Sequence, residues 1–411
     1  MSILIKKISD DGIKGLFFAI IHHMCRMINY CMFILFKLFP IKDNYIVLES
    51  EGDCCDNAYA LFEYMKSNGY VGKYKITWLV DNPDRFNENK DIKYVYKSNV
   101  KLGLIRNYRL AVSKFYIYDH CNVYLAMKCK WRNQQKIINL SHGCGFKVQK
   151  GKSGEINIFD ECYVTGKFYY ENAATFHKCG YEKIIDIGFP RLDYLFKELN
   201  QNQLNFIDKY NFEQYALIAL WMPTFRKSIS EHLSEEYFNS LTGLPILEND
   251  VQLKKFDEFL ASKNILCVFK IHHLQATQSI FKEKYSNILI LNDEMISEEN
   301  LQLYQFVKLT DLLITDYSSI ANDYLLMDKP ILYTLDDYNE YKKSRGFLME
   351  DPIKYFIGYH VYNEEDLMNA LEDVIENGDV YKDARREIIT QMHTYCDGNA
   401  SKRILEHLGI T

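Results

Sequence analysis

Polar and basic side chains recur in this sequence directly after short apolar runs. Five apolar runs are followed by groups that could contact a phosphate: Ser141–Lys147, Phe189–Asp193, Met222–Lys227, Lys270–His273 and Thr315–Ser319. Each group alone is a weak signal, because a histidine or serine at the end of a strand is more often a structural residue. Their recurrence at corresponding positions predicts that all five face one cleft.

The segment Asp316-Tyr317-Ser318-Ser319 indicates what this cleft binds. It lies where a strand-like run passes into a helical run, and the start of a helix offers unpaired backbone N–H groups and the positive end of the helix dipole. The hydroxyls of Ser318 and Ser319 add donors, Thr315 ends the strand beside them, and Asp316 is expected to orient the turn. These features predict a site for a mono- or diphosphate.

Three further side chains extend the predicted phosphate site. Arg226 offers a planar fork of donors that matches a phosphate, and Lys270 and His272 add cationic or donor groups. The chain has neither the GxxxxGK[ST] pattern of P-loop nucleotidases nor a GxGxxG pattern after its first strand. No Asp-rich metal motif stands out either, so we predict no metal among the site groups.

His142 has a different setting from the other strand-end residues. Gly143 and Gly145 follow it and allow the backbone to approach a substrate closely. An imidazole is the side chain best suited to exchange a proton near neutral pH. We therefore predict that His142 is a general base for an attacking hydroxyl, and that His272 contacts the donor phosphate or stabilises the leaving group.

The elements that would position these residues alternate between strands and helices. Short apolar runs such as Tyr45–Ser50 alternate with helical patterns such as Asp56–Gly69, which begins with a residue suited to cap a helix. This alternation predicts parallel sheets with helices on both faces. The polar segment Lys197–Gln214 separates two such sets, so we predict two doubly wound, Rossmann-like α/β domains that face a cleft. The predicted limits are 43–200 for the first domain, 213–395 for the second and 396–411 for a C-terminal helix.

Composition narrows the class of protein. A length of 411 residues favours two domains. The net charge of −6 argues against a general nucleic-acid binder, which would be basic. The eleven cysteines are odd in number, and none is spaced from another as in a zinc or redox motif. We therefore predict reduced thiols rather than a disulfide framework.

Residues 1–42 differ from the rest of the chain because they are both basic and apolar. Read as a helix, they place His22, Arg26, Asn29 and Lys37 on one polar stripe. The opposite stripe is apolar and consists of Phe17, Ile21, Met24, Ile28, Cys31, Leu35 and Leu38. Such an amphipathic segment suits a membrane interface. Two alternatives stay open: a helix packed on the protein's own core, and a span, which Arg26 at mid-bilayer disfavours.

These motifs together resemble the CDP-glycerol glycerophosphotransferase family, which contains the teichoic acid primases and polymerases. The resemblance covers roughly residues 45–393 and is carried by the segments SHG followed by Lys147, IGFPRLD, MPTFR, KIHH and DLLITDYSSIANDYLLMDKPILYT. Its most specific part is the Asp-Tyr-Ser-Ser segment with Lys329-Pro330 and Arg345-Gly346-Phe347 downstream.

The resemblance implies a fold, a reaction and a location. It implies a GT-B arrangement of two Rossmann-like domains with the active site between them. It implies transfer of glycerol phosphate or ribitol phosphate from CDP-glycerol or CDP-ribitol to a lipid-linked glycan or teichoic acid acceptor, with release of CMP. The protein would be peripheral on the cytoplasmic side of a bacterial cell membrane, in cell-wall or capsule synthesis, and would need no cofactor.

The resemblance also assigns roles by motif. His142 matches the base-like histidine of the family, and His272 matches the histidine of its Lys-x-His motif. The implied donor-binding residues are Arg226, Lys270, Thr315, Ser318 and Ser319, and the implied supporting residues are Gly143, Lys147, Asp316 and Arg345.

Two departures from the family pattern bear on substrates. His273 stands where the family usually has proline, and Cys144-Gly145-Phe146 replaces the commoner loop that should meet the acceptor. The alternative functions are a GT-B glycosyltransferase that uses a nucleotide sugar and, third, a non-catalytic membrane assembly factor. The polyol, the polymer and the oligomeric state stay open.

Overall fold

Two parallel β-sheets, one from each half of the chain, carry the fold. The computed structural model describes residues 2–120, 132–148, 158–224, 240–270 and 283–411, and for residues 2–13 and 16 it describes the backbone alone.

The first sheet has seven parallel strands in the order β3-β2-β1-β4-β5-β6-β7. Its strands are β1 Lys42–Glu49, β2 Lys75–Val80, β3 Ile92–Tyr96, β4 Ser113–Tyr118, β5 Lys136–Asn139, β6 Glu161–Val164 and β7 Ile184–Asp186. Their buried parts are mostly apolar because helices cover both faces of the sheet.

The second sheet has six parallel strands in the order β10-β9-β8-β11-β12-β13. Its strands are β8 Leu217–Trp221, β9 Ile265–Phe269, β10 Ile288–Ile290, β11 Leu312–Thr315, β12 Ile331–Thr334 and β13 Tyr359–Val361. In both sheets the strand order reverses beside the first strand, between β1 and β4 and between β8 and β11. Crevices at such reversals are where α/β folds bind ligands.

The described helices surround the two sheets. In the first half they are α1 Ser2–Phe36, α2 Asp56–Ser67, α3 Leu104–Val112, α4 Tyr170–His177, α5 Asp193–Phe196 and α6 Gln201–Lys209. In the second half they are α7 Asp250–Ser262, α8 Asp293–Glu298, α9 Leu303–Val307, α10 Ile320–Tyr324, α11 Tyr338–Ser344, α12 Glu364–Asn377, α13 Lys382–Met392 and α14 Ala400–His407.

The segment between the two sheets is more ordered than its polar sequence indicates. Helix α6 lies within it and begins with a capping box in which Asn200 and Gln203 satisfy each other's backbone N–H groups. One apolar residue, Phe206, is fully buried and packs against Phe306 of the second half. A prediction from apolar periodicity misses such a helix, because one large apolar side chain is enough to fix it to the core.

The C-terminal helix returns to the first half of the molecule. Helix α14 places Ile404 and Leu405 in the core of the first sheet. The carboxylate of Asp193 accepts hydrogen bonds from the N–H groups of Ala400 and Ser401, at 2.8 and 2.9 Å. The aspartate of the GFPRLD motif therefore caps α14, and the chain crosses between the halves a second time. The predicted domain limits stay a prediction.

Helix α1 uses its polar stripe differently from the prediction. The Asn29 amide is fully buried: it donates to the carbonyls of Asn99 and Lys101 and accepts from the Gly103 N–H. Phe33, one turn further on, is also fully buried. The stripe was expected to face water or lipid head groups, but at Asn29 it anchors the helix to the first domain.

The apolar stripe of α1 stays exposed. Phe17, Met24 and Leu35 each expose more than half of their side chains. By length and composition, residues Phe17–Phe36 could cross a membrane. Only 11% of this stretch is buried inside the protein. The helix therefore presents a long apolar surface on the side that does not contact the domain.

Candidate functional site

The site lies where the carboxyl ends of the two sheets face each other. His142 follows β5, and Asp56 begins α2 on the loop after β1. Cys54, Asp56 and Ser141 all have a left-handed backbone, with φ of 58°, 56° and 62°. A non-glycine residue rarely adopts this conformation, and such strain concentrates at functional sites.

Asp56 orients the imidazole of His142. Nδ1 of His142 lies 3.0 Å from Oδ2 of Asp56. Because a carboxylate only accepts, Nδ1 carries the hydrogen and Nε2 of a neutral His142 keeps its lone pair. The side chain of His142 is 57% exposed. The arrangement can therefore take a proton from a hydroxyl group that approaches Nε2.

Electrostatics keep the Asp56 carboxylate charged. Burial alone would raise the pKa of Asp56, but the Arg191 guanidinium and the hydrogen bond from His142 outweigh it and hold that pKa well below its ordinary value. Burial, and then the Asp56 charge, raise the pKa of the neighbouring Asp119, which accepts from the Ala58 N–H. Burial and the nearby His142 lower the pKa of His120.

The loop after His142 contacts the serines of the other half. Gly143 has φ of 147°, and a Cβ at this position would lie 2.8 Å from Oγ of Ser319. The carbonyl of Cys144 accepts a hydrogen bond of 2.7 Å from the Asn322 side chain. The predicted base and the predicted donor-binding serines therefore belong to one site.

Arg191 joins the two halves beneath this contact. Its side chain is 5% exposed, and its two terminal nitrogens lie 2.7 Å from Oδ1 of Asp56 and 2.7 Å from Oδ2 of Asp323. Asp323 belongs to α10, directly after the serines, and also accepts from the Tyr304 hydroxyl. One guanidinium thus connects the carboxylate that orients His142 to the helix that follows Ser319.

Asp316 connects the ends of β8 and β11. Its fully buried carboxylate accepts from the N–H and the hydroxyl of Thr224 and, at 3.1 Å, from the Ser318 N–H. Nζ of Lys147, from the first half, donates to the Thr224 hydroxyl at 3.2 Å. Lys147 thus reaches across the cleft to the turn that Asp316 holds.

The remaining predicted site residues that the structure describes are Thr315, Lys270 and Arg345, and each contacts another protein group. Thr315 is fully buried and its hydroxyl donates to the Met222 carbonyl at 2.6 Å, so that hydrogen is not available to a donor substrate. Lys270 pairs with Asp293 at 2.9 Å, and Nε of Arg345 donates to the Val148 carbonyl at 3.4 Å.

Two predicted residues, Arg226 and His272, lie outside the described residues. The α-helix after Ser319, α10, has five residues and is continued by a 3₁₀ turn over Leu325–Met327.

Comparison with known proteins identifies the family. Residues 31–409 match the model of the family described as CDP-Glycerol:Poly(glycerophosphate) glycerophosphotransferase. The chain belongs to this family. The match confirms the resemblance that the sequence motifs indicated, and it extends over both sheets and the C-terminal helix.

Curated relatives include polymerases of two polyol phosphates. The teichoic acid ribitol-phosphate polymerase TarL of Staphylococcus aureus is 25% identical over 341 residues, which are 77% of this chain and 56% of TarL. The chain therefore spans little more than half of TarL. A teichoic acid poly(glycerol phosphate) polymerase of Bacillus spizizenii is 24% identical over 407 residues, which are 92% of this chain and 95% of that protein.

Solved structures confirm the predicted two-domain GT-B fold. A histidine-to-asparagine variant of the wall teichoic acid polymerase TagF, soaked with CDPG, matches with a TM-score of 0.72 at 20% identity and covers 96% of this chain and 97% of that chain. A putative UDP-N-acetylglucosamine 2-epimerase from Listeria monocytogenes matches with a TM-score of 0.53 at 15% identity, covering 90% of this chain and 98% of that one. These likenesses concern the fold alone.

Sequence reasoning missed three residues of this candidate site. The sequence indicates a helix cap at Asp56, but Cys55 occupies the N-cap position of α2, and the Asp56 carboxylate contacts His142 and Arg191 instead. Arg191 stood in one of the five strand-end groups without a role, and Asp323 was not considered. The spacing of Asp323, four residues after Ser319, was the signal that could have placed it beside the site.

Proposed function

We propose that this protein transfers glycerol phosphate or ribitol phosphate from a CDP-polyol to a hydroxyl group of a lipid-linked acceptor and releases CMP. Family membership supports the reaction class. The relatives named as ribitol-phosphate and glycerol-phosphate polymerases support the two donors. The observation that carries the proposal is the close approach of Gly143, the residue after His142, to Ser319, where a Cβ on Gly143 would lie 2.8 Å from Oγ. It supports a proton acceptor near hydroxyls that could bind the donor.

In this proposal, each half of the protein contributes different residues to the reaction. Nε2 of His142 takes the proton of the acceptor hydroxyl while Asp56 holds the ring through Nδ1. The acceptor oxygen attacks the phosphorus next to the polyol, and the bond from this phosphorus to the CMP oxygen breaks. Ser318, Ser319 and Lys147 are proposed to hold the phosphates, and Arg226 and His272 are proposed to compensate the charge on departing CMP.

A donor panel tests this proposal. Purified protein is incubated with a lipid-linked acceptor and, separately, CDP-glycerol, CDP-ribitol and a UDP-sugar, and the nucleotide product is measured. We expect acceptor-dependent CMP release from at least one CDP-polyol and no turnover of the UDP-sugar. Turnover of the UDP-sugar alone would favour the glycosyltransferase alternative. Binding of CDP-polyols without turnover would favour the assembly factor.

We further propose that α1 lies on the cytoplasmic surface of the membrane. Its exposed apolar stripe is large, while Asn29 and Phe33 are buried against the first domain. A helix whose second half packs on a water-soluble domain cannot place the whole stretch Phe17–Phe36 inside a bilayer. An interfacial position satisfies both contacts and brings the cleft close to a lipid-linked acceptor.

Substitutions on the exposed stripe should release the protein from membranes without unfolding it. The double variant Phe17→Ser and Met24→Ser removes two large exposed side chains, each contributing about 1.5–3 kcal/mol when buried in lipid. We expect its partition into phosphatidylglycerol vesicles to fall at least about tenfold in a flotation assay. The control His23→Ser, also exposed on α1, should float like the wild type. Equal flotation of the double variant would rule out this face.

A further inference from the structure

Two imidazoles and a carboxylate cluster at the rim of the cleft. The ligand atoms of Glu51, His120 and His142 all lie within 4.8 Å of one another. Nε2 of His120 is 3.4 Å from Oε1 of Glu51. The rings of His120 and His142 are edge-to-face, with centroids 4.7 Å apart. The transfer reaction proposed above gives no role to Glu51 or His120.

This set of side chains matches a known ligand class. Two histidines and one glutamate, with a fourth position open to solvent, are ligands that Zn²⁺ takes in proteins. Bonds of about 2.0–2.2 Å in a tetrahedron place ligand atoms roughly 3.3 Å apart. The His120–Glu51 pair is already close to that spacing. All three side chains are exposed, and those of Glu51 and His120 can rotate toward His142, which Asp56 holds in place.

Asp56 supplies a second, independent feature of a metal site. A histidine that binds a metal through one ring nitrogen usually donates the other N–H to a carboxylate, which fixes the tautomer. His142 makes this hydrogen bond through Nδ1, and Arg191 holds the carboxylate in place. The free nitrogen, Nε2, is the one that His142 would offer to an ion.

Carboxylates offset most of the positive charge near the cluster. Lys97, whose Nζ donates to the Glu51 carbonyl, is paired with Asp81 at 2.9 Å. Arg191 is paired with two carboxylates. The local field at the cluster is therefore set largely by Glu51 and Asp56.

We propose that Glu51, His120 and His142 bind a divalent transition metal ion of the zinc type, and that the bound ion switches the transferase off. The inhibition rests on the proposed function, because the ion would occupy the Nε2 lone pair that otherwise accepts the proton of the acceptor hydroxyl. The site is thus an inhibitory one that overlaps the base, and it departs from the sequence-based prediction that the site groups hold no metal.

Cobalt binding tests the site without any substrate. Co²⁺ is titrated into the full-length protein and its visible absorption is followed, with Zn²⁺ used to displace it. We expect one ion per chain with nitrogen and oxygen ligands. The variants Glu51→Gln, His120→Asn and His142→Asn should each weaken binding at least about tenfold. Asp56→Asn should weaken it about 10–100-fold, as for other lost carboxylate partners of metal ligands.

A control variant and a zinc-inhibition assay complete the test of the metal site. His23→Ser, which removes an exposed histidine elsewhere, should bind Co²⁺ like the wild type. If Glu51→Gln and His120→Asn, each folded by circular dichroism, also bind like the wild type, the site is overturned. Excess Zn²⁺ should reduce CMP release at least tenfold in the wild type and much less in His120→Asn, each relative to its own zinc-free rate.

The experiments distinguish a failure of the proposed transferase function from a failure of the proposed metal inhibition. A metal-free protein that turns over no CDP-polyol contradicts the proposed function and leaves cobalt binding untouched. A protein that binds Zn²⁺ at these residues and still releases CMP at full rate contradicts the inhibition alone.

Discussion

Replacing His142 with alanine is expected to lower the rate of acceptor-dependent CMP release by about a hundredfold or more, the usual contribution of a positioned general base. The reason is geometric: the side chain of His142 is 57% exposed, and its Nδ1 is held by Asp56, which leaves Nε2 to accept the proton. Release of CMP from CDP-glycerol is measured at saturating donor, and donor affinity is measured separately by calorimetry. We expect kcat to fall while donor affinity changes little.

The variant Asp56→Asn tests the same assignment with a smaller expected effect. The asparagine keeps the size of the side chain but cannot hold the Nδ1–H tautomer as a carboxylate does, so an intermediate rate is expected. His407→Gln is a control, because His407 is exposed and pairs with Glu161, a contact with no part in the proposed reaction. If His142→Ala released CMP at the wild-type rate, the proton would have another acceptor and the assignment of the base would be wrong.

The sequence predicts the fold well for a simple physical reason. Parallel strands buried on both faces must be apolar, and their helices must follow with a three-to-four periodicity, so each leaves a clear pattern. The carboxyl ends of such strands meet at one edge of each sheet. That rule predicts His142 and Ser319 in one cleft, and the contact of Gly143 with Ser319 agrees with it.

The pairing of side chains within the cleft could not be predicted in the same way. Asp56 and Arg191 are 135 residues apart, and Arg191 and Asp323 are 132 apart, so no periodicity relates them. An aspartate before a helix has the same sequence signature whether it caps the helix or orients a histidine. Asn29 shows the same limit on α1, where a polar stripe does not reveal whether it faces water or the backbone of a neighbouring loop.

Arg191→Met is expected both to destabilise the protein and to slow the transfer. The substitution leaves Asp56 and Asp323 buried without their cation, and breaking a buried pair in this way costs about 3–5 kcal/mol. We expect a lower denaturation midpoint in urea and a fall in kcat, since Asp56 loses the contact that fixes it beneath His142. Arg191 touches no reacting atom in this scheme, so it is a positioning residue.

A charge-balanced variant separates the two effects. Combining Arg191→Met with Asp56→Asn and Asp323→Asn removes all three charges, so that no buried charge is left without its partner. We expect the triple variant to regain most of the urea stability of the wild type and none of the lost kcat. Arg191→Lys should restore part of both, because an ammonium group cannot reach two carboxylates with the geometry of the guanidinium fork. Recovery of full activity in the triple variant would show that the bridge only stabilises the fold, and that His142 is positioned without it.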